Sequence, residues 1–133
     1  MSHRLLAVAA GLAAALLMPV APAAAADDAI CKVGYKTYGD TGFLTANITI
    51  TNTGPSTLYG WTLRFSLPAG QTFINGWEAK FEADGQDVTA TSLEYNKDVK
   101  TGGSVPVGFN AHGNAAAPGP AEFWVNGYLC TRG

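Results

Sequence analysis

Charged side chains are scarce in this sequence. Asp, Glu, Lys and Arg make up 14% of its 133 residues, the net charge is −2, and no run of one sign occurs. Nucleic acids and anionic membranes attract proteins through clustered basic residues, so we expect neither as a partner. The polar positions are mostly Thr, Ser, Asn and Gln. Such a surface suits a neutral, hydroxyl-rich partner.

Groups that could perform catalysis are also few. The chain has two histidines, and His112 lies in a Gly- and Ala-rich stretch where we expect an exposed loop side chain. A glycosidase needs two carboxyl groups paired across a cleft, whereas the acidic residues here are isolated along the chain. No cluster of His, Cys, Asp or Glu has the spacing of metal ligands. We therefore expect a protein that is not an enzyme and holds no metal or cofactor.

The N-terminal segment differs in composition from the rest of the chain. Arg4 precedes the apolar run LLAVAAGLAAALLMPVAPAAAA, which ends in small residues. This pattern predicts a secretory signal peptide over residues 1–26, cleaved after Ala26. The alternative is an uncleaved membrane anchor, but the run is short and broken by two prolines. We expect a secreted, monomeric protein that consists of one domain over residues 27–133.

Only two cysteines are present, Cys31 and Cys130, and they lie near the two ends of the predicted mature chain. An even pair in an exported protein predicts a disulfide. Closing a loop of this length stabilises a fold by roughly 4–5 kcal/mol in the chain-entropy model. The alternative, a redox-active pair, lacks a Cys-x-x-Cys motif.

Helical periodicity is absent after the signal peptide. Short segments with alternating apolar and polar residues take its place, bounded by Gly, Pro, Asn and Asp. In FLTANITITNTG, one face is apolar and consists of Leu44, Ala46, Ile48 and Ile50. A hairpin is predicted across Asp84-Gly85. The pattern predicts an all-β fold, an antiparallel β-sandwich of Ig-like or jelly-roll-like type that the terminal disulfide closes.

The same alternation divides the aromatic residues into those that point into the core and those that do not. Trp61, Phe109 and Phe123 fall on inward positions and are predicted to lie in the core. Trp77 and Tyr95 sit outside the alternating register, next to Asn or Gly. Asn75-Gly76 predicts a turn that presents Trp77 on the surface. Aromatic residues in such places are either displayed for a partner or cap the ends of a sandwich core.

Several segments, in order and at the right spacing, resemble a known family. They are TANITITNTG at 45–54, GWTLRFSLPAGQ at 60–71, NGWEAKF at 75–81 and GGSVPVGFNAHGNAAAPGPAEFWVNGYLC at 102–130. With a Cys at each end, they are similar to the bacterial family 2 carbohydrate-binding modules, the cellulose-binding domains of secreted cellulases and xylanases. The resemblance implies a β-sandwich with a flat face of three exposed aromatic rings that stack on glucose units.

The resemblance assigns roles to individual residues. Trp77 matches the second aromatic position, and Tyr95 matches the third, with Tyr in place of the usual Trp. The first position aligns with Asp40, and the nearest aromatic residue is Tyr38. Asn47 and Asn110 match polar positions of the binding face. The alternation also predicts that Trp124 points outward, where the family commonly has a small polar residue.

The resemblance implies a polysaccharide as the partner, with cellulose as the expected ligand. Xylan and chitin are the alternatives, because the orientation of the rings distinguishes these ligands and the sequence does not define it. The rival class is a secreted β-sandwich that binds another protein. Such proteins often carry two disulfides, whereas this chain has cysteines for one, and the segments that match the family also argue against this class.

Overall fold

β-Strands and their connections make up residues 29–133, the part of the chain that the structure, a computed structural model, describes. The strands are β1 (Cys31–Gly39), β2 (Phe43–Asn52), β3 (Leu58–Tyr59), β4 (Thr62–Ser66), β5 (Thr72–Trp77), β6 (Lys80–Asp84), β7 (Asp87–Thr91), β8 (Asp98–Val99), β9 (Ser104–His112), β10 (Phe123–Val125), β11 (Tyr128–Leu129) and β12 (Thr131–Arg132). The predicted signal peptide and its cleavage site after Ala26 lie outside the described residues. Between residues 29 and 133, no helix is long and apolar enough to cross a membrane.

Two five-stranded sheets form the two layers of the fold. The first sheet has the order β12-β1-β2-β9-β5, the second has the order β11-β10-β4-β7-β6, and β3 pairs with β8 in a separate ribbon. Neighbouring strands are antiparallel, apart from β12, which runs parallel to β1. Strands β6 and β7 form the hairpin predicted across Asp84-Gly85. The prediction of an all-β antiparallel sandwich is confirmed.

The core lies between the inner faces of the two sheets. The apolar face predicted for β2 is buried, and Trp61, Phe109 and Phe123 are each at most 1% exposed, as predicted. The ring centroid of Phe65 on β4 lies 5.5 Å from that of Phe109 and 5.4 Å from that of Phe123, so aromatic packing joins the two sheets. The indole Nε1 of Trp61 donates a hydrogen bond to the backbone oxygen of Asn96 at 2.9 Å. This bond satisfies the polar group of a buried ring.

Cys31 and Cys130 form the predicted disulfide, which links residues 99 positions apart. Cys31 is the first residue of β1, in the first sheet. Cys130 lies between β11 of the second sheet and β12 of the first. The bond therefore closes the sandwich at the point where the chain passes from one layer to the other.

The prediction that Asn75-Gly76 forms a turn is wrong, because both residues lie inside β5. Gly76 leaves room for a neighbouring ring, since a Cβ at this position would lie 2.8 Å from Cγ of Phe81. After Trp77 the chain leaves the first sheet at Glu78, whose φ of 66° is in the left-handed region, and it continues as β6 in the second sheet. The turn propensity of Asn-Gly is overridden by the pairing of β5 with β9. Trp77 is consequently the last residue of a strand.

Candidate functional site

The outer face of the first sheet carries four of the five residues that the sequence predicts as a binding site. Alternate residues of a strand point to opposite faces, and the strand register aligns the outward residues in rows across the sheet. One row consists of Tyr38, Thr45, Asn110 and Asn75, and the next consists of Lys36, Asn47, Gly108 and Trp77. We call this surface the Trp77 face. Neighbouring strands are about 4.8 Å apart, so each row extends over roughly 14 Å from β1 to β5.

The indole of Trp77 lies across the backbone of β9 at Gly108. A Cβ placed on Gly108 would come within 2.6 Å of the indole Nε1, and closer still to the adjoining ring atoms Cε2 and Cζ2. Only glycine, whose side chain is a hydrogen atom, leaves this space open for the indole. One face of the ring therefore packs on the sheet, while the side chain remains 38% exposed. The arrangement presents the other ring face to solvent.

Sequence reasoning missed the role of Gly108. A glycine inside a strand often marks the close approach of another group, and GFN in SVPVGFNAHG carries that signal. What the signal lacks is the identity of the group that approaches. That identity depends on the register between β5 and β9, which places Trp77 opposite Gly108.

Tyr95 lies beside the Trp77 face in the connection between β7 and β8, and it is 72% exposed. Its hydroxyl donates a hydrogen bond to the carboxylate of Glu78, the residue that follows Trp77. This bond raises the pKa of Tyr95 above its ordinary value, since the carboxylate favours the protonated phenol. The side-chain amide of Asn96 also donates to the backbone oxygen of Glu78, at 2.7 Å. Two hydrogen bonds, one from Tyr95 and one from Asn96, thus tie this segment to the turn that follows Trp77.

Tyr38 occupies the β1 end of the Trp77 face and is 50% exposed. The Nζ of Lys36 lies 5.8 Å from the centroid of its ring. Asp40, which aligns with the family's first aromatic position, has a different role. Its carboxylate accepts hydrogen bonds from the backbone N–H groups of Gly42 and Phe43, at 2.9 and 3.0 Å. These bonds lower the pKa of Asp40 and fix the turn between β1 and β2.

Phe43 is a second aromatic residue at this end of the sheet, and sequence reasoning missed it. It is the first residue of β2, points to the same side of the sheet as Thr45 and Asn47, and is 43% exposed. The alternation in FLTANITITN was the signal that could have found it. His112, expected in a loop, is instead the last residue of β9, where it pairs with Phe43 and is exposed.

The polar residues of the Trp77 face are linked by hydrogen bonds. Thr45 Oγ1 donates to Asn110 Oδ1 at 2.7 Å, and Asn110 Nδ2 donates to Asn75 Oδ1 at 3.0 Å. These bonds fix the orientation of the Asn110 amide. Asn47 is exposed on β2, directly opposite Gly108 and therefore next to the Trp77 indole. The face combines flat rings with oriented amides, which suits a ligand that has apolar C–H faces and hydroxyl edges.

The acidic residues of the described chain do not assemble into a cluster. Between residues 29 and 133, no group of three or more His, Cys, Asp or Glu side chains could hold a metal ion. The carboxylate of Glu78 is engaged by Tyr95. The chemistry that this face offers is adsorption through rings and amides.

Residues 31–130 match the family described as cellulose binding domain. Exoglucanase B from Cellulomonas fimi is 42% identical over 101 residues, which are 76% of this chain and 9% of that enzyme. A cellulose/chitin binding protein from Mycobacterium bovis is 30% identical over 125 residues, which are 93% of this chain and 87% of that protein. The chitin-binding domain of Chi18aC from Streptomyces coelicolor has a similar structure, with a TM-score of 0.60 and 29% identity over 75% of this chain and 93% of that domain.

Proposed function

Because this chain belongs to the family 2 carbohydrate-binding modules, the family of cellulose-binding domains, we propose that it is a secreted, non-catalytic module that binds crystalline cellulose through the Trp77 face. Trp77, Tyr95 and Tyr38 are the ring platforms, and Asn47 and Asn110 are the hydrogen-bonding partners. The observation that carries the proposal is the Trp77 indole, which packs one ring face on Gly108 and leaves the other to solvent.

The physical argument rests on the two surfaces of a glucose unit. A glucopyranose ring has apolar C–H groups on its faces and hydroxyl groups at its edge. An aromatic ring stacked on that face removes apolar area from water and meets the C–H groups with its electron-rich side. Burying a whole aromatic side chain contributes about 1.5–3 kcal/mol. A ring covered on one side contributes roughly half as much, so three rings with amide hydrogen bonds give an affinity on the order of micromolar.

Two features of the Trp77 face favour a flat crystalline surface over a single twisted chain such as xylan. The indole lies on the sheet rather than standing upright from it. Tyr38 and Trp77 are on β1 and β5, so the contact extends over roughly 14 Å, three strand spacings. A broad, shallow contact of this kind matches several parallel glucan chains.

Chitin is the second candidate ligand. The Mycobacterium bovis relative, which this chain matches over 87% of its length, is described as binding cellulose or chitin. The Streptomyces coelicolor domain with a similar structure is described as chitin-binding. Both polysaccharides present pyranose faces, so the aromatic platform suits either. Chitin differs from cellulose by its acetamido groups, and a binding experiment with both polysaccharides distinguishes the two ligands.

A depletion experiment tests the proposal. Purified protein is mixed with microcrystalline cellulose, with chitin, with xylan, and with starch and protein-coated beads as negative controls, and unbound protein is measured. We expect saturable binding to cellulose that Trp77→Ala lowers about tenfold, the contribution of one stacked ring. Tyr128→Ala is the matched control, because Tyr128 is exposed on β11 of the second sheet. Tighter binding to chitin than to cellulose would identify chitin as the ligand. Binding to protein-coated beads alone would refute the proposal.

A further inference from the structure

The second sheet also displays a tryptophan on its outer face. Trp124 points outward from β10, between the buried Phe123 and Val125, and it is 36% exposed. Its outward direction confirms the prediction made from the alternation in EFWVN. The register aligns Trp124 with Arg64 on β4 and Thr89 on β7. We call this surface the Trp124 face.

An open cleft of about 470 Å³ adjoins the Trp124 indole. Its floor is formed by outward residues of β4 and β7, and its wall is formed by the segment 119–122 that precedes β10. The volume lies within the range of small-molecule sites, roughly 300–1,000 Å³. The residues that offer hydrogen bonds in the cleft are Arg64, Ser66, Asp87, Thr89 and Glu122.

The charges around the cleft restrict the class of ligand. Within residues 29–133, Arg64 has neither a hydrogen bond nor an acidic partner within 4.0 Å, so its guanidinium is available to an acceptor. Asp87 accepts a hydrogen bond from Ser66 Oγ at 2.6 Å, and Glu122 adds a second carboxylate to the rim. An anionic ligand would meet two carboxylates, and a cationic ligand would meet the guanidinium. A neutral ligand whose hydroxyls both donate and accept satisfies all three groups.

We propose that the Trp124 face is a second carbohydrate site, which takes a short stretch of a single neutral glycan chain. Trp124 stacks on one pyranose ring. Arg64 donates hydrogen bonds to its hydroxyl oxygens, and Asp87 and Glu122 accept hydrogen bonds from its hydroxyl groups. The cleft is concave, unlike the Trp77 face, so it suits a free chain rather than a crystal plane.

The two sites are on opposite sides of the molecule. Packed sheets are about 10 Å apart, and the Trp77 and Trp124 faces point away from each other. A module adsorbed through Trp77 therefore keeps Trp124 accessible from solution. The Trp124 site depends on no residue of the Trp77 face, so it can exist whether or not the Trp77 face binds cellulose.

The indole N–H signals of the three tryptophans provide a direct test by NMR. Cellohexaose and chitohexaose, which are soluble, are titrated in turn into the wild type and into Trp77→Ala. Trp124→Ser assigns the Trp124 signal, and the buried Trp61 serves as an internal reference. We expect at least one of the two oligosaccharides to shift the Trp124 signal saturably in both proteins, with the same dissociation constant. Arg64→Gln is expected to weaken this binding about tenfold, the effect of losing a charge-assisted hydrogen bond.

Two outcomes would overturn the second site. One is a Trp124 signal that neither oligosaccharide moves at millimolar concentration. The other is a shift that disappears in Trp77→Ala, because this result assigns all binding to the Trp77 face. The Trp77 signal reports independently on the proposed function, so failure of one site is distinguishable from failure of the other. A thermal midpoint for each variant verifies that it is folded.

Discussion

The indole of Trp77 occupies the space that a side chain at position 108 would fill, and Gly108 supports it from below. The two residues face each other on β5 and β9, so the strand register sets their contact. A ring held in this way has little freedom to lose when a ligand covers its outer face. Preorganisation of this kind lowers the entropic cost of binding.

Parallel substitution of Trp77 and Trp61 distinguishes a tryptophan that is exposed for binding from one that is packed in the core. Trp77→Ala is expected to lower affinity for the polysaccharide about tenfold with a small change in thermal midpoint, because one ring face is already in water. Trp61→Ala is expected to lower the free energy of unfolding by about 3–5 kcal/mol, because Trp61 is buried and its removal leaves a cavity. Calorimetry and depletion isotherms measure both quantities. Equal losses of stability in the two variants would mean that Trp77 is a core residue.

Gly108→Ala tests whether the glycine positions the indole. The new methyl group displaces the Trp77 ring, which can move toward solvent, so we expect the fold to persist. Affinity is expected to fall severalfold and by no more than the tenfold effect of Trp77→Ala. Ser104→Ala, an outward residue at the far end of β9, is the control. An unchanged affinity in a variant whose Trp77 indole signal has moved would contradict this role of Gly108.

Glu78→Gln tests the support of Tyr95. The Glu78 carboxylate raises the pKa of Tyr95 by accepting its hydroxyl proton in a hydrogen bond. We expect the substitution to lower the pKa of Tyr95 toward its ordinary value and to weaken polysaccharide binding modestly. Phenolate absorbance, with Tyr95→Phe to assign the transition, measures the pKa. If the pKa of Tyr95 is the same in both proteins, the hydrogen bond does not form in solution.

The ionisation of Tyr35 is expected to lower the stability of the fold at alkaline pH. Burial raises its pKa to about 12, and the nearby Arg132 partly opposes that shift. The unfolded chain has the ordinary value of about 10, so only the unfolded state loses the proton readily between pH 10 and 12. The stability that the neutral phenol provides is complete below about pH 10 and is lost as the pH rises toward about 12.

Urea unfolding of the wild type and Tyr35→Phe at a series of pH values measures this effect. We expect the alkaline decline to be shallower in Tyr35→Phe, which has no phenol to ionise. Tyr59→Phe is the control, because Tyr59 is 80% exposed. Comparison at equal pH removes the contribution of the lysines. Identical declines in all three proteins would exclude Tyr35 as the cause.

The layers of the fold could be predicted from local sequence, but parts of the candidate site could not. The period of two in FLTANITITN separates the buried from the outward residues of β2 without knowledge of any partner strand. Asn75-Gly76 misled the same reasoning, since the local preference for a turn is outweighed by pairing with a strand about thirty residues away. The support of Trp77 by Gly108 depends on such distant pairing, and the bond between Tyr95 and Glu78 joins residues 17 positions apart. No short window of sequence contains either relationship.

Tyr38 on β1 and Trp77 on β5 are in neighbouring rows of the Trp77 face, so the line that joins them crosses three strand spacings and one row. Its length is consequently set by the hydrogen-bonded ladder, and changes in loop length leave it unaffected. Along a strand, a ring can move only by two residues at a time if it is to stay on the same face, a step of roughly 7 Å. A sheet therefore allows the spacing of the rings on one face to change only in discrete increments.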